Sequence, residues 1–281
     1  NPENPFMAVS GAPLSTFGAD VDTASYANIR RMLLGGSPVP EDAVRIEEML
    51  NYFYYDYPEP KEHEPFSVTT RLAECPWNQS HSLLQIGLQA KKLDEDTLPA
   101  SNLVFLLDVS GSMDAPDKLD LVKRAFLTMT ENLKDGDSIS IVTYASSDKV
   151  VLDGASGSDR TRIMTAIENL EAGGSTAGSK GIKTAYELAE KHFIKGGNNR
   201  VILATDGDLN VGVTSEGGLT RLIQKKRKSG VFLSVLGFGT GNIKDNKMEA
   251  LADNGNGQYA YIDSMAEARK VLVEEMGGTL F

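Results

Sequence analysis

The stretch Asn102-Leu103-Val104-Phe105-Leu106-Leu107-Asp108-Val109-Ser110-Gly111-Ser112 decides the fold. Its first half is an apolar run without alternation, the pattern of a central strand in a parallel sheet that helices cover on both faces. The run ends on Asp108, so Asp108, Ser110 and Ser112 hang their oxygens just beyond the strand's carboxyl end, where ligands of such sheets bind. Gly111 lets the backbone fold tightly enough for all three to point one way. A cluster of hard oxygen ligands suits magnesium, manganese or calcium. Taken alone, the five residues read as well as an Asx or Ser turn with helix-capping chemistry.

Two further stretches repeat the geometry. Asn199-Arg200-Val201-Ile202-Leu203-Ala204-Thr205 is a second apolar strand, and it ends on Asp206-Gly207-Asp208. Between the strands, Gly173-Gly174-Ser175-Thr176-Ala177-Gly178 is a glycine-rich loop that opens a helix and offers the Thr176 hydroxyl. Thr176 alone reads as a helix N-cap and Asp206-Gly207 alone as a turn pair. Their joint placement, at strand ends and helix starts of one alternating pattern, points to a single site. With these residues the sequence resembles the von Willebrand factor A domain family, whose metal-ion-dependent adhesion site combines DxSxS with a distant Thr and a distant Asp. The resemblance implies a divalent cation, Mg²⁺ or alternatively Ca²⁺ or Mn²⁺, at Asp108, Ser110, Ser112, Thr176 and Asp206. It further implies direct contact through Ser110 and Ser112, contact through Thr176 directly or through water, and action of Asp108 and Asp206 largely through water.

From residue 101 the alternation of strand and helix is regular. A helix over 118–133 carries Leu119, Val122, Phe126, Met129 and Leu133 on one stripe, and a strand over 138–144 follows. A short strand over 149–152, at hairpin distance, reads as an antiparallel edge. Helices over 160–170 and 181–193, the strand ending at Asp206, a helix over 219–228 and a strand over 231–238 continue the pattern. Met248 and Leu251 mark a short helix, residues 258–262 a last strand, and Ser264 with Glu267 a capping box opening a terminal helix. The fold class is α/β, a doubly wound, mostly parallel, Rossmann-like sheet, for which the resemblance implies strand order 3-2-1-4-5-6.

Residues 1–100 read as an N-terminal extension and 101–281 as the main domain. In the extension, Asp22 or Thr23 caps a helix with Tyr26, Ile29 and Leu33 on its apolar face. After Pro38-Val39-Pro40 a second helix presents Ala43, Ile46, Leu50 and Phe53. The run Tyr52-Phe53-Tyr54-Tyr55-Asp56-Tyr57 reads as core packing ahead of a stacking surface. Residues 66–72 and 84–88 alternate in period two and form a hairpin, which needs more strands or a neighbouring surface to be stable. Thr279-Leu280-Phe281 looks like the start of such a strand.

Composition narrows the partners. A formal charge of −11 disfavours nucleic acid and anionic membrane surfaces and attracts divalent cations. The single Cys75 forms no internal disulfide, and His63, His81 and His192 lie too far apart for a zinc spacing or a His-based triad. No run approaches the roughly 18 apolar residues of a membrane span. The opening Asn1-Pro2-Glu3-Asn4-Pro5 resembles the tether that follows an export signal or lipid anchor. Gly237-Phe238-Gly239-Thr240-Gly241-Asn242 lacks the third glycine of a dinucleotide loop, and Ser179-Lys180 inverts the order a P-loop requires.

The function these features imply is metal-dependent, non-enzymatic protein recognition or adhesion. An ion with mostly neutral ligands keeps a residual positive charge and an exchangeable position, which an Asp or Glu carboxylate of a partner protein can fill. The rival is a metal-assisted hydrolase, against which stands the lack of a nearby His, Lys or Tyr in sequence. A structural envelope domain is the third reading. Ala43-Val44-Arg45-Ile46-Glu47-Glu48-Met49-Leu50-Asn51-Tyr52-Phe53 and Thr205-Asp206-Gly207-Asp208-Leu209-Asn210-Val211-Gly212 resemble bacterial envelope proteins carrying this domain, often exported or lipid-anchored. The resemblance therefore implies an extracytoplasmic location, with a cytoplasmic one as the alternative. Without an ion, Asp108 and Asp206 are expected to repel each other, so that Asp206→Asn leaves the metal-free protein as stable as the parent or slightly more so.

Overall fold

A computed structural model of the chain describes residues 5–16, 21–91, 98–175, 180–207, 216–239 and 245–274. Two compact units emerge, one of residues 1–52 with 99–281 and one of residues 53–98. The larger contains six strands: β3 (Ser101–Asp108), β4 (Ser138–Tyr144), β5 (Asp148–Ser156), β6 (Asn198–Thr205), β7 (Phe232–Phe238) and β8 (Tyr259–Ile262). Their spatial order is β5-β4-β3-β6-β7-β8, the order implied by the resemblance, and only β5 runs antiparallel.

The continuous apolar run of β3 has a direct cause. Every residue of the strand is buried, because successive side chains enter different cores on the two faces of the sheet. Leu103, Phe105 and Leu107 pack with α3 (Leu119–Thr130), α4 (Arg160–Glu168) and α8 (Met265–Arg269). Val104 and Leu106 pack with α1 (Ala24–Leu34), α5 (Gly181–Lys191), α6 (Glu216–Lys228) and α7 (Asp245–Asn254). From β3 the chain first builds outward through β4 to β5 and then returns to lay β6 on the opposite side. The crevice at that switch point opens at the carboxyl ends of β3 and β6.

The N-terminal helices differ from their expected faces. In α1 the buried residues are Ala24, Ser25, Ala27 and Asn28, while Leu33 is exposed and Tyr26 and Ile29 are half-buried. Small side chains allow α1 to lie close against β8; Asp22 accepts a hydrogen bond from the Tyr259 amide at 3.3 Å, and Thr23, at the helix N-cap, makes no side-chain capping bond. The second helix, α2 (Ile46–Asn51), exposes Ile46 and Leu50 and buries Glu48. That carboxylate accepts from the Ser25 amide at 2.8 Å and from Arg45 at 2.6 Å, and Arg45 also pairs with Glu249 on α7. A polar tie between helices has replaced the apolar contact that periodicity suggests. Tyr52 is half-buried, whereas Phe53 and Tyr54 are exposed, so the aromatic run does not form a core.

The capping box at the last helix is half formed. Ser264 accepts from the Glu267 amide at 3.3 Å, but the Glu267 carboxylate turns to Arg30 and Tyr52, each at 2.8 Å. Replacing Ser264 with Ala is expected to cost about 1 kcal/mol in a denaturant melt, the usual worth of one such cap. An unchanged midpoint would mean that the long-range pairs alone hold α8.

The smaller unit consists of β1 (Phe66–Glu74) and β2 (Ser82–Ala90), antiparallel with Phe66 opposite Ala90 and Glu74 opposite Ser82. The Tyr57 ring lies so close over Gly87 that a side chain there would overlap it. The expected strand at residues 279–281 lies outside the described residues.

Candidate metal centre

Asp108 is the last residue of β3, and Asp206 follows directly on β6. Since Leu107 pairs with Ala204 in the parallel ladder, Asp108 lies level with Thr205, and Asp206, one residue further on, comes close enough for its charge to act on Asp108. After Asp108 the chain makes a short 3-10 turn, Gly111–Met113, and Met113 is fully buried in the core beneath it. This anchor brings the Ser110 and Ser112 hydroxyl oxygens to 3.0 Å from each other. Asp108 accepts from the Ser110 amide at 2.9 Å through one oxygen and from the Thr205 hydroxyl at 3.4 Å through the other.

Residues 173–175 border the cluster. The Gly173 amide donates to the Val109 carbonyl at 2.8 Å, and the Gly111 amide donates to the Gly174 carbonyl at 3.0 Å. Gly174 has φ of 79°, and a side chain on it would overlap the Ser146 hydroxyl, which instead accepts from the Ser175 amide at 2.9 Å. Thr176, the fifth predicted ligand, lies outside the described residues.

Burial is the main electrostatic fact about Asp108, which is fully inaccessible and has its carboxyl pushed up from the ordinary value. The Ser110 hydrogen bonds oppose that shift, and the charge of Asp206 adds to it. Tyr144, opposite Asp108 in the ladder, is fully buried, and its hydroxyl is pushed well above its usual value by burial and then by the Asp108 charge. Among the described residues no three His, Cys, Asp or Glu side chains cluster in a way that could hold a metal. Among the described residues, an ion here would lean on the Ser110 and Ser112 hydroxyls beside Asp108 and Asp206. An octahedral ion with bonds of about 2.1 Å holds neighbouring ligands about 3 Å apart, which is the Ser110–Ser112 separation. The donor set thus suits a small hard cation.

One residue at the site escaped sequence reasoning. Lys118 reaches from the start of α3 and places its ammonium 2.8 Å from an Asp206 oxygen and 2.8 Å from the Ser112 carbonyl. The available signal was a lysine at a helix N-terminus, where the positive end of the dipole disfavours a cation. Lys118 also alters the expected response to Asp206→Asn. The carboxylate faces a cation as well as Asp108, so its replacement breaks an ion pair, and the variant is expected to melt below the parent in chelator.

Comparisons with known proteins identify the domain and its fold. A family model for the von Willebrand factor type A domain matches residues 102–275, and a second, described as von Willebrand factor, matches residues 1–85. An Escherichia coli protein known only as uncharacterized protein YfbK is 45% identical over 281 residues, covering 98% of this chain and 49% of its own length. An uncharacterized Synechocystis protein, sll0103, is 32% identical over 192 residues, covering 67% of this chain and 44% of its own. The chain thus spans less than half the length of these curated relatives. Among solved structures, a von Willebrand factor type A protein from Catenulispora acidiphila superposes with a TM-score of 0.52 at 22% identity, over 71% of this chain and 45% of that one. An aerotolerance-related membrane protein from Bacteroides fragilis, with several residues mutated to serine, gives 0.50 at 21% identity, over 63% and 98%. These two share the fold.

Proposed function

The chain belongs to the von Willebrand factor type A domain family, whose members commonly serve in metal-dependent protein interaction, and we propose that this one recognises an acidic side chain of a partner protein through a divalent cation. The supporting observation is the pair of hydroxyls 3.0 Å apart at the switch point, where Asp108 feels both the Ser110 hydrogen bonds and the Asp206 charge. Ser110 and Ser112 would hold the ion, with Thr176 as a further hydroxyl and Asp108 and Asp206 balancing its charge. Mg²⁺ is the favoured ion, with Mn²⁺ or Ca²⁺ able to substitute. A bound ion supplies a positively charged position that an incoming carboxylate can complete. The protein orients the donors: Met113 pins the turn from below, and the Ser110 amide fixes one oxygen of Asp108.

The acidic surface, net −11, would repel a nonspecific polyanion, so only a carboxylate that reaches the ion is favoured. No helix of the described residues is long and apolar enough to cross a membrane. We place the domain in the bacterial envelope, exported or lipid-anchored, with residues 1–100 as an extension to the recognition domain 101–281. The module is read as non-enzymatic. Fluorescent peptides differing by a single Glu or Gln, titrated with the protein in Mg²⁺ and in chelator, test the proposal. Binding of the Glu peptide alone, lost in chelator, is expected. Metal-dependent hydrolysis of a generic phosphoester, with no preference between the peptides, would replace recognition with catalysis.

A further inference from the structure

Resting on the metal-site assignment above, we propose that Lys118 is a tethered counter-cation that competes with the divalent ion for Asp206 and thereby sets the site's metal affinity. Its ammonium bridges the loops after β3 and β6, touching the Ser112 carbonyl on one and the Asp206 carboxylate on the other, each at 2.8 Å. The pair is sheltered: the Lys118 side chain is 16% exposed and that of Asp206 is 7% exposed. The lysine stem lies against a glycine. Gly239, just past β7, has φ of 81°, and a side chain there would lie 2.5 Å from both Cγ and Cε of Lys118. The lysine precedes α3, where the helix dipole opposes a positive charge, so helix stability does not account for its position. Asp206 does, because it supplies the compensating charge.

Competition follows from electrostatics alone. Lys118 neutralises one of the two carboxylates that would balance the ion. A divalent cation near Asp206 either displaces the ammonium or shares the carboxylate with it, and at a few ångströms like charges repel strongly in a partly desolvated cleft. Removing the lysine charge should therefore improve metal binding while leaving the metal-free fold worse off. A residue that merely packed would not produce such opposite signs.

The test titrates MnCl₂ into the 281-residue chain and its variants by calorimetry, with melting curves in chelator. Lys118→Met keeps the stem over Gly239 and removes the charge. It should bind Mn²⁺ at least about ten-fold more tightly than the parent and melt lower in chelator by a few degrees. Lys118→Arg keeps a cation and should keep the parent's affinity. Lys118→Gln serves the same comparison if the Met variant does not fold. Equal Mn²⁺ affinity in parent and uncharged variant overturns this inference and leaves the metal site standing. Failure of both to bind overturns the inference together with the site itself.

Discussion

Arg30→Ala is expected to lower the stability of the sheet-bearing unit by about 3 kcal/mol, the low end of the cost of stripping the partner from a buried ion pair. Arg30 on α1 grips Asp263 with two nitrogens, at 2.8 and 2.5 Å, and also bonds Glu267 at 2.8 Å and the Tyr52 hydroxyl at 2.8 Å. The carboxylates are deeply sheltered, 7% and 3% exposed, whereas the arginine is 29% exposed, which is why the low end applies. Truncation strips both acids of their common cation and leaves Asp263 with the Ser264 hydroxyl at 3.0 Å and Glu267 with the Tyr52 hydroxyl at 2.8 Å. For a chain of this size the loss corresponds to a fall in melting temperature of about 5 °C or more. Arg30→Lys should fall between, since an ammonium keeps the charge but cannot form the two-pronged contact. Melting at the parent's temperature would mean that α1 does not brace the β8 edge.

Ser112→Ala carries the largest expected effect on function. Ser112 is exposed, so losing its hydroxyl costs the fold little, yet it removes one of the few neutral donors the cluster offers. The expected loss in Mg²⁺ affinity is at least about 100-fold, the upper range reached when even an outer partner of a metal site is lost. At a concentration a hundred times the parent's Kd, the parent gains about 2.7 kcal/mol of stability and the variant, now at its own Kd, about 0.4 kcal/mol. Differential melting with and without Mg²⁺ separates these values, a shift of about 5 °C against one below about 1 °C. A variant that keeps the parent's full shift would remove Ser112 from the site.

Much of the fold is legible in the sequence because the central strands bury both faces. β3 and β6 announce themselves as unbroken apolar runs, and a carboxylate at the end of each marks the crevice. The hairpin reads equally well from its period-two alternation. Helices α1 and α2 are legible as helices but not in their facing. Periodicity favours the large residues Ile29, Leu33, Ile46 and Leu50, whereas packing selects Ala24 and Ala27 and satisfies Glu48 through Ser25 and Arg45. No local pattern encodes a partner 23 residues away. The same limit hides Lys118, whose partner Asp206 stands 88 residues further along the chain. Of the proposed ligand set, Asp108, Ser110, Ser112 and Asp206 come together around the switch point. A charge count from Asp108 and Asp206 alone leaves out Lys118, the neutralising cation that enters from another segment, and therefore predicts a different outcome for Asp206→Asn.

Calorimetric titration of Mg²⁺ into chelator-stripped protein tests the central claim most directly. One saturable site per chain is expected, weakened at least about 100-fold by Ser112→Ala and accompanied by a rise in melting temperature that chelator reverses. No saturable heat, with identical melting curves in Mg²⁺ and in chelator, would contradict it.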